Sequence, residues 1–374
     1  MAQTNFAALT SEQLTTWSRD FWKVARNASF LNQFTGSGPN SIVQRITDLT
    51  KSQKGTRAVL TLLHDMQGDG ITGDNTLEGN EEALRSDDIV IQIDQLRNAN
   101  VIKGKLADQK SVVRFRENSR DKLAYWIADR CDQMAFLTLS GVSYAYKNNG
   151  GLRSTSGQAG AQLTDLEFAS DVTAPTTNRH RRWDATNGLV AGDTTAVAAA
   201  DTISYQAIVD LKAYAKESYV RGVRGKGGEE MYHMFVTPTQ MATLKLDADF
   251  LANVRNAGVR GPKNSLFSGT TSVMVDGILI HEYRHVFNTK GAASGSKWGG
   301  SGTVDGARAL FCGAQALAMA DINSPEITEK SFDYGNKNGI SIAKIMGFKK
   351  PVFQSDYHSS DEDFGVICLD TATS

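Results

Sequence analysis

Large apolar side chains recur every three to four positions in two segments of the chain. A first stripe, in residues 11–35, is mostly aromatic: Trp17, Phe21, Trp22, Phe30 and Phe34. A second stripe runs through Ser119–Gly141 and ends at a glycine, a common helix-ending residue. This spacing predicts two helices, the second about six turns long. Because Gly36-Ser37-Gly38-Pro39 separates the first helix from the rest of the chain, that helix either docks on its own core or forms an arm across a neighbour.

Partial alternation of apolar and polar residues predicts a long β-hairpin over residues 55–103. Its strands are Thr56–Met66 and Asp88–Asn98, both rich in Val, Ile and Leu. The glycine-rich connection Gln67–Asp87 carries a set of acidic residues: Asp69, Asp74, Glu78, Glu81, Glu82 and Asp87. Loops of this length inside a compact domain are usually functional or disordered. We therefore expect an excursion with an acidic tip that reaches beyond its parent domain.

The second half of the chain mixes helices and strands in an irregular order. Thr202–Glu217 predicts a helix, Met231–Val236 a strand, and Thr237-Pro238-Thr239-Gln240 a capping box that opens another helix. Ser272–Asn288 is typical of two strands joined at Asp276-Gly277. Small apolar residues over 307–321 precede strands near 340–346 and 365–370. The predicted class is α+β with a mixed or antiparallel sheet.

Composition narrows the classes of function. The 374 residues include 40 Lys and Arg against 41 Asp and Glu, and this balance excludes nucleic-acid binding through a net basic charge. Cys131, Cys312 and Cys368 are odd in number and far apart, which predicts free thiols in a reducing compartment. We expect neither a membrane span nor a secretory leader, because the required apolar runs do not occur in the sequence.

Two clusters of basic residues interrupt this balance. One runs from Lys103 to Lys122 and includes Arg114 and Arg116, and the other contains Arg179, Arg181 and Arg182 beside His180 and Trp183. Runs of like charge are most often solvated faces. The first cluster also has the sign needed to meet the acidic tip of another copy, and the second could touch nucleic acid.

His281-Glu282-Tyr283-Arg284-His285 matches the zinc metalloprotease pattern H-E-x-x-H. That chemistry requires a helix, where two histidines four residues apart share one face and one metal. The surrounding segment is β-branched and aromatic and follows a Gly277 turn, which predicts a strand. Residues four apart in a strand are separated by roughly 13 Å, too far for one zinc ion. A zinc metalloenzyme that uses residues 281–285 is therefore kept only as the alternative function.

Residues 65–76 imitate a calcium-binding loop. Asp65, Asp69 and Gly70 occupy matching positions, but Gln67 stands where the loop requires Asp or Asn, and Thr76 stands where it requires a bidentate glutamate. The sequence contains no phosphate-binding glycine loop, nucleophile elbow or paired-cysteine motif. We therefore predict no catalytic residue, no metal site and no cofactor.

The order of arm, hairpin, long helix and mixed body resembles the major capsid proteins of tailed phages, the Johnson fold. Short words of sequence make the likeness closer to the family that includes the major capsid protein of podovirus N-four. They lie at 68–74, 77–82, 93–95, 236–238, 267–269, 313–316, 333–335, 347–350, 363–367 and 370–372. Each word alone is unspecific, but their order extends over nearly the whole chain.

The resemblance implies a structural protein and not an enzyme. Hexamers and pentamers of one subunit would form an icosahedral head around double-stranded DNA, which the shell contacts non-specifically. Portal protein, and scaffolding and decoration proteins where present, would be its further partners. It would assemble in the host cytoplasm, reside in the virion and contact no membrane.

The resemblance also implies a division of the chain. Residues 1–54 would be the N-terminal arm, 55–103 the extended loop lying over the adjacent subunit, and 104–200 the peripheral domain with a spine helix at 117–147. Residues 201–325 would form the axial domain, and 326–374 would return to the peripheral domain. The glycine-rich segment 291–302 is an insertion whose role the family does not define. From the opposed charges we predict that the acidic tip meets a neighbour's basic surface, from 103–122 or Arg179–Arg182.

Overall fold

A computed structural model describes residues 29–46, 57–63, 66, 68–84, 86–110, 115–154, 160–225, 227–257, 272–355, 358 and 360–373. Most of the predicted arm helix over 11–35 therefore lies outside the described residues. Its described end is a short 3-10 turn, Leu31–Phe34. Within the described chain, no helix is both long and apolar enough to cross a membrane.

The described residues form five α-helices and seventeen strands. The helices are α1 (Lys105–Lys110), α2 (Phe115–Ser140), α3 (Tyr205–Glu217), α4 (Pro238–Leu246) and α5 (Ala248–Ala257). The strands are β1 (Thr35–Gly36), β2 (Val43–Ile46), β3 (Arg57–Leu63), β4 (Ser86–Gln92), β5 (Asp94–Val101), β6 (His180–Asp184), β7 (Gly188–Ala191), β8 (Val223–Arg224), β9 (Glu230–Val236), β10 (Ser272–Val275), β11 (Ile278–Glu282), β12 (Gly306–Cys312), β13 (Leu317–Phe332), β14 (Lys337–Lys349), β15 (Val352–Ser355), β16 (Ser360–Asp363) and β17 (Val366–Ala372).

The first large sheet has five strands in the order β1-β2-β13-β14-β5. Its longest strands, β13 and β14, pair antiparallel. Ala318 lies opposite Lys349 at one end and Phe332 opposite Lys337 at the other, with one register shift between them. The long helix α2 packs against it through buried residues such as Ile127 and Met134. This sheet and helix form one layered body with a shared apolar core.

The second sheet has eight strands in the order β10-β11-β9-β12-β17-β6-β7, with β8 added beside β9. All seven residues of β12 and all seven of β17 are buried. Alternate residues of these strands contribute to different cores: Phe311 joins the core that includes α3, and Leu310 joins the core that includes α2. These two central strands are therefore covered on both faces, which explains their nearly continuous apolar sequence.

Several local predictions are confirmed. Helix α3 begins after the cap residue Ser204, inside the predicted 202–217 segment. Thr237 and Gln240 form both hydrogen bonds of the capping box, with Pro238 opening α4. The strands β10 and β11 meet at Asp276-Gly277, where both residues have positive φ. The second strand ends at Glu282, earlier than the predicted Asn288.

The spine helix ends where the Gly141 signal predicts, which is earlier than the 117–147 bounds that the resemblance implies. Helix α2 stops at Ser140, and residues 141–147 leave the helix axis. Gly141 has φ of +66°, and a Cβ atom there would lie 2.5 Å from the carbonyl oxygen of Thr173. Only glycine fits this close approach without strain.

The predicted hairpin is real, but its second strand divides into two strands in different sheets. Strands β3 and β4 pair antiparallel, with Arg57 opposite Gln92 and Leu63 opposite Ser86. Beyond Ile93 the chain becomes β5, which pairs with β14 in the five-stranded sheet. The prediction of one hairpin over 55–103 is wrong for residues 94–101, because their alternating burial suits the edge of a larger sheet.

The last strand of the chain lies in a different sheet from the one expected for residues 326–374. Strand β17 lies between β12 and β6 in the eight-stranded sheet. Strands β6 and β7, expected with the spine helix, belong to the same sheet. The final strand therefore returns to the body that contains 201–312, while β13 and β14 belong to the body of the spine helix.

Candidate functional site

The base of the hairpin is fixed to the chain's own core. Ile89 and Ile91 of β4 are buried against Ala318 and Phe353. Lys349 Nζ donates to the Val90 carbonyl at 2.8 Å and lies 3.2 Å from Asp171 Oδ1. The second oxygen of Asp171 accepts from the Gln92 amide at 3.0 Å. These polar bonds hold the C-terminal end of β4, so the base of the two-stranded β3–β4 hairpin is fixed to the rest of the fold.

The tip of the hairpin has the opposite character. Every residue from 68 to 84 is exposed. Two of its carboxylates close the loop on itself: Glu82 accepts from the Gly68 amide and Glu81 from the Gly79 amide, both at 2.8 Å. Asp69, Asp74 and Glu78 complete this acidic group. We call residues 68–84 the acidic loop.

Asp87 does not belong to the acidic loop, although the sequence placed it there. It lies in β4, where its carboxylate accepts a 3.4 Å hydrogen bond from the amide of Gln354. The structure therefore brings five of the six predicted acidic residues together and assigns the sixth to the hairpin base.

The predicted basic residues do not form one surface. Arg114 lies outside the described residues, and Arg116 is in the first turn of α2. Arg179 is only 4% exposed and pairs with Glu362 at 2.8 Å, so the prediction that it faces DNA or a neighbour is corrected. Its guanidinium is desolvated by the fold, and this burial lowers its pKa despite the carboxylate beside it.

Arg181 and Arg182 are half-buried and also have partners within the chain. The Arg181 guanidinium lies 4.0 Å from the centroid of the Tyr214 ring. Arg182 lies 3.1 Å from Asp184 and 3.7 Å from Asp201. Both residues extend from β6, so the basic-aromatic cluster contributes mainly to the packing of the eight-stranded sheet.

The H-E-x-x-H segment begins in a strand, as predicted, and its two histidines have different partners. His281 Nε2 lies 3.0 Å from His233 Nδ1 on the neighbouring strand. His285 Nε2 lies 2.8 Å from Asp129 Oδ1 on α2, and this hydrogen bond is the main cause that lowers the pKa of Asp129. The helical geometry required by the zinc metalloenzyme alternative is therefore missing, and that alternative has no support.

A cluster that sequence reasoning missed holds the start of the described chain. Asp132 of α2 accepts from Ser29 Oγ at 2.7 Å, from the Phe30 amide at 2.8 Å and from the Tyr283 hydroxyl at 2.7 Å. Phe30 stacks on Tyr283 at 4.1 Å between ring centroids. The available signal was an aspartate next to Cys131, on the buried side of a helix, since a buried carboxylate requires partners. Nothing in the sequence indicated that His233 belongs beside His281.

The three cysteines are buried and unpaired, as predicted. Burial raises the pKa of the Cys131 thiol to about 11 and that of Cys368 to about 12. Such thiols are protonated at neutral pH and react slowly.

This arrangement of projecting hairpin, spine helix and two sheets is the architecture of tailed-phage capsid subunits. The fold matches the capsid of Ralstonia phage GP4 with a TM-score of 0.74 and 23% identity, covering 100% of this chain and 96% of that chain. It matches the capsid of cyanophage Pam1 with a TM-score of 0.71 and 17% identity, covering 100% and 96%. At these identities the likeness concerns the fold alone.

Sequence comparison adds the family. A profile of the phage capsid protein family matches residues 5–374. The major capsid protein of Pseudomonas phage KPP25 is 59% identical over 367 residues, which cover 97% of this chain and 96% of that protein. The chain therefore belongs to the phage capsid protein family, and its role is that of a major capsid protein, a structural subunit of the virion shell. The narrower likeness to the N-four group stays a prediction.

Proposed function

We propose that copies of this chain assemble into hexameric and pentameric capsomers of an icosahedral head that encloses double-stranded DNA. The observation that carries the proposal is the contrast within the hairpin, whose base is buried and bonded while every residue of the acidic loop is exposed. A projecting loop of this kind gains its contacts from another copy, and a head-to-tail contact repeated around an axis generates a closed ring. Portal, scaffolding and decoration proteins would act on this shell.

The two sheets support an assignment of domains. The five-stranded sheet with α2 would be the peripheral domain, and the eight-stranded sheet with α3 and α4 the axial domain around the capsomer axis. The hairpin β3–β4 would be the extended loop that lies over the adjacent subunit.

We further propose that the acidic loop meets a basic surface of the adjacent subunit. Five carboxylates in a short exposed loop repel one another unless a cation-rich surface neutralises them. Complementary potentials favour the correct register between copies and suppress like-charged contacts.

Electron microscopy of the purified full chain tests assembly. Shells, tubes or ring-shaped capsomers are the expected result, and a protein that stays monomeric at all concentrations would contradict the proposal. The variant Asp74→Asn with Glu78→Gln tests the loop and should reduce the yield of particles severalfold. Its matched control is Glu217→Gln with Glu229→Gln, which neutralises two exposed carboxylates on the body. Equal particle yields from both variants would show that the carboxylates of the acidic loop do not contribute to contacts between subunits.

We also propose that the chain has no catalytic function. The support is that His281 and His285 bind separate groups within the fold. Elemental analysis of purified particles should find no stoichiometric zinc. Zinc at one atom per chain that disappears in His281→Ala would restore the enzyme alternative.

A further inference from the structure

One end of the five-stranded sheet carries an exposed apolar patch. Its members are Val101 at 56% exposure, Leu106 at 68%, Phe332 at 40% and Tyr334, which is fully exposed. Val101 and Phe332 adjoin each other, because a Cβ atom on Gly339, which pairs with Val101, would lie 3.2 Å from both side chains. Leu106 lies in α1 and Tyr334 in the β13–β14 turn, two segments joined by the hydrogen bond between the Lys105 amide and Asn336. Isolated exposed apolar residues are ordinary, but a contiguous group marks an interaction surface.

The β13–β14 turn holds Tyr334 in an unusual conformation. Asp333, Tyr334 and Gly335 have φ of 53°, 50° and 82°, and a tyrosine in this left-handed region is strained. Asn336 braces the turn, because its side chain donates to Asp333 Oδ2 at 3.2 Å and accepts from the Lys105 amide at 3.2 Å. The strained turn is therefore fixed to α1, and it presents an aromatic ring to solvent.

The segments that carry this patch also carry four lysines. Lys103, Lys105, Lys330 and Lys337 are all exposed. Lys330 and Phe332 lie on the same side of β13, with the Lys330 ammonium 5.0 Å from the Phe332 ring centroid. An apolar centre with a charged rim is the common anatomy of protein interfaces. We call these lysines, together with Val101, Leu106, Phe332 and Tyr334, the lysine-rimmed patch.

The acidic loop has the complementary composition. Its carboxylates surround exposed apolar residues, Ile71 at 39%, Leu77 at 61% and Leu84 at 67%. An acidic loop with apolar side chains and a basic patch with apolar side chains match in both charge and hydrophobicity.

We propose that the lysine-rimmed patch of one subunit binds the acidic loop of an adjacent copy, with Leu77 near Tyr334 and the carboxylates on the lysines. This inference rests on the proposed function, because it names the surface that receives the loop within the shell. It selects the end of the five-stranded sheet over Arg179–Arg182, whose guanidinium groups already have partners in the chain. The contact is heterologous, as a capsomer ring requires.

Co-assembly of two single-cysteine chains tests the contact directly. Leu77→Cys and Tyr334→Cys chains are mixed before assembly, oxidised, and separated on non-reducing gels. We expect a disulfide-linked dimer only in the mixture, and the buried Cys131, Cys312 and Cys368 should not compete. The control replaces Tyr334→Cys by Leu246→Cys, at a site 79% exposed on α4. Particles of normal shape with no more dimer than the control would overturn this inference and leave the proposed function intact.

Charge reversal supplies a second test. Lys330→Glu with Lys337→Glu should lower particle yield at least tenfold, and adding Asp74→Lys with Glu78→Lys should restore it. If the patch instead receives a decoration protein, the lysine variant alone would still assemble as the parent does. If it receives a scaffolding protein, reversing the loop charges would not restore the yield, and either result would overturn the inference. A parent chain that never assembles would contradict the proposed function itself.

Discussion

His233 Nδ1 lies 3.0 Å from His281 Nε2, and the two imidazole rings are parallel to within 1°. The histidines extend from the adjacent parallel strands β9 and β11. Phe34, in residues 29–36, which we call the entering segment, contacts both rings edge-on, with centroids 5.7 Å and 4.9 Å away. One ring must accept the proton that the other donates, so the pair requires at least one neutral histidine. The docking of the entering segment is therefore linked to the protonation of these rings.

This linkage predicts an acid-sensitive fold. Burial lowers the pKa of His233, and burial followed by the charge of His233 lowers that of His281 to about 4. A histidine whose pKa is lower in the folded protein than in the unfolded chain stabilises the fold. This contribution is complete at pH values above the unfolded pKa of about 6.5, and it is lost as the pH falls toward 4. The melting temperature of the parent chain should therefore fall between pH 7 and pH 4.5 more steeply than that of His281→Gln. The carboxylates common to both proteins cancel in this comparison, so parallel pH profiles would contradict the prediction.

Asp132 should anchor the entering segment. Asp132→Asn keeps the shape but removes the charge that accepts from Ser29, Phe30 and Tyr283. Hydrogen bonds to charged groups contribute about 1.5–3 kcal/mol each, so we expect a loss of unfolding free energy of about 2 kcal/mol or more. Urea unfolding measures the loss, and chymotrypsin cleavage at Phe30 should become faster. Asp129→Asn is the control, since Asp129 is partly exposed and its loss should cost less.

Lys350 and Asp363 form an ion pair at 2.9 Å with both side chains fully buried. Lys350 also donates to the Ala174 carbonyl, and Asp363 accepts from the Thr176 amide. Removing one partner leaves a buried charge, so Lys350→Met should cost about 3–5 kcal/mol. The double variant Lys350→Met with Asp363→Leu should be more stable than Lys350→Met alone. Denaturant unfolding of both variants measures the difference. A double variant that is no more stable than Lys350→Met alone would show that the two charges are not coupled.

Local signals in the sequence predicted the parts of the fold that local physics determines. The Thr237 capping box depends on neighbours in sequence, and the positive φ at the Gly141 helix end is one that glycine adopts readily; both occur. The acidic loop was equally visible, because exposed carboxylates and glycines need no partner from elsewhere in the chain.

Long-range partners explain the features that the sequence did not reveal. Arg179 resembles part of a basic surface until the fold brings Glu362 to it from the C-terminal region. Residues 94–101 continue the hairpin by composition, and only the edge of β14 draws them into another sheet. The lysine-rimmed patch likewise combines residues near 101–106 with residues near 330–337, which no local pattern joins.

The base of the hairpin offers a final test of how the loop is held. A Cβ atom on Gly347 would lie 2.2 Å from the Gln92 carbonyl oxygen, a backbone contact that cannot move aside cheaply. Gly347→Ala should therefore push β4 away from β14 and destabilise the fold by about 1–3 kcal/mol. Hydrogen exchange should show faster exchange at residues 89–92, while the strands β12 and β17 keep their protection. Gly38→Ala is the matched control, because a Cβ atom there meets nothing within 4 Å. Equal exchange at 89–92 in the two variants would mean that the hairpin is not seated on this glycine, and Lys349 and Asp171 would then be its main anchors.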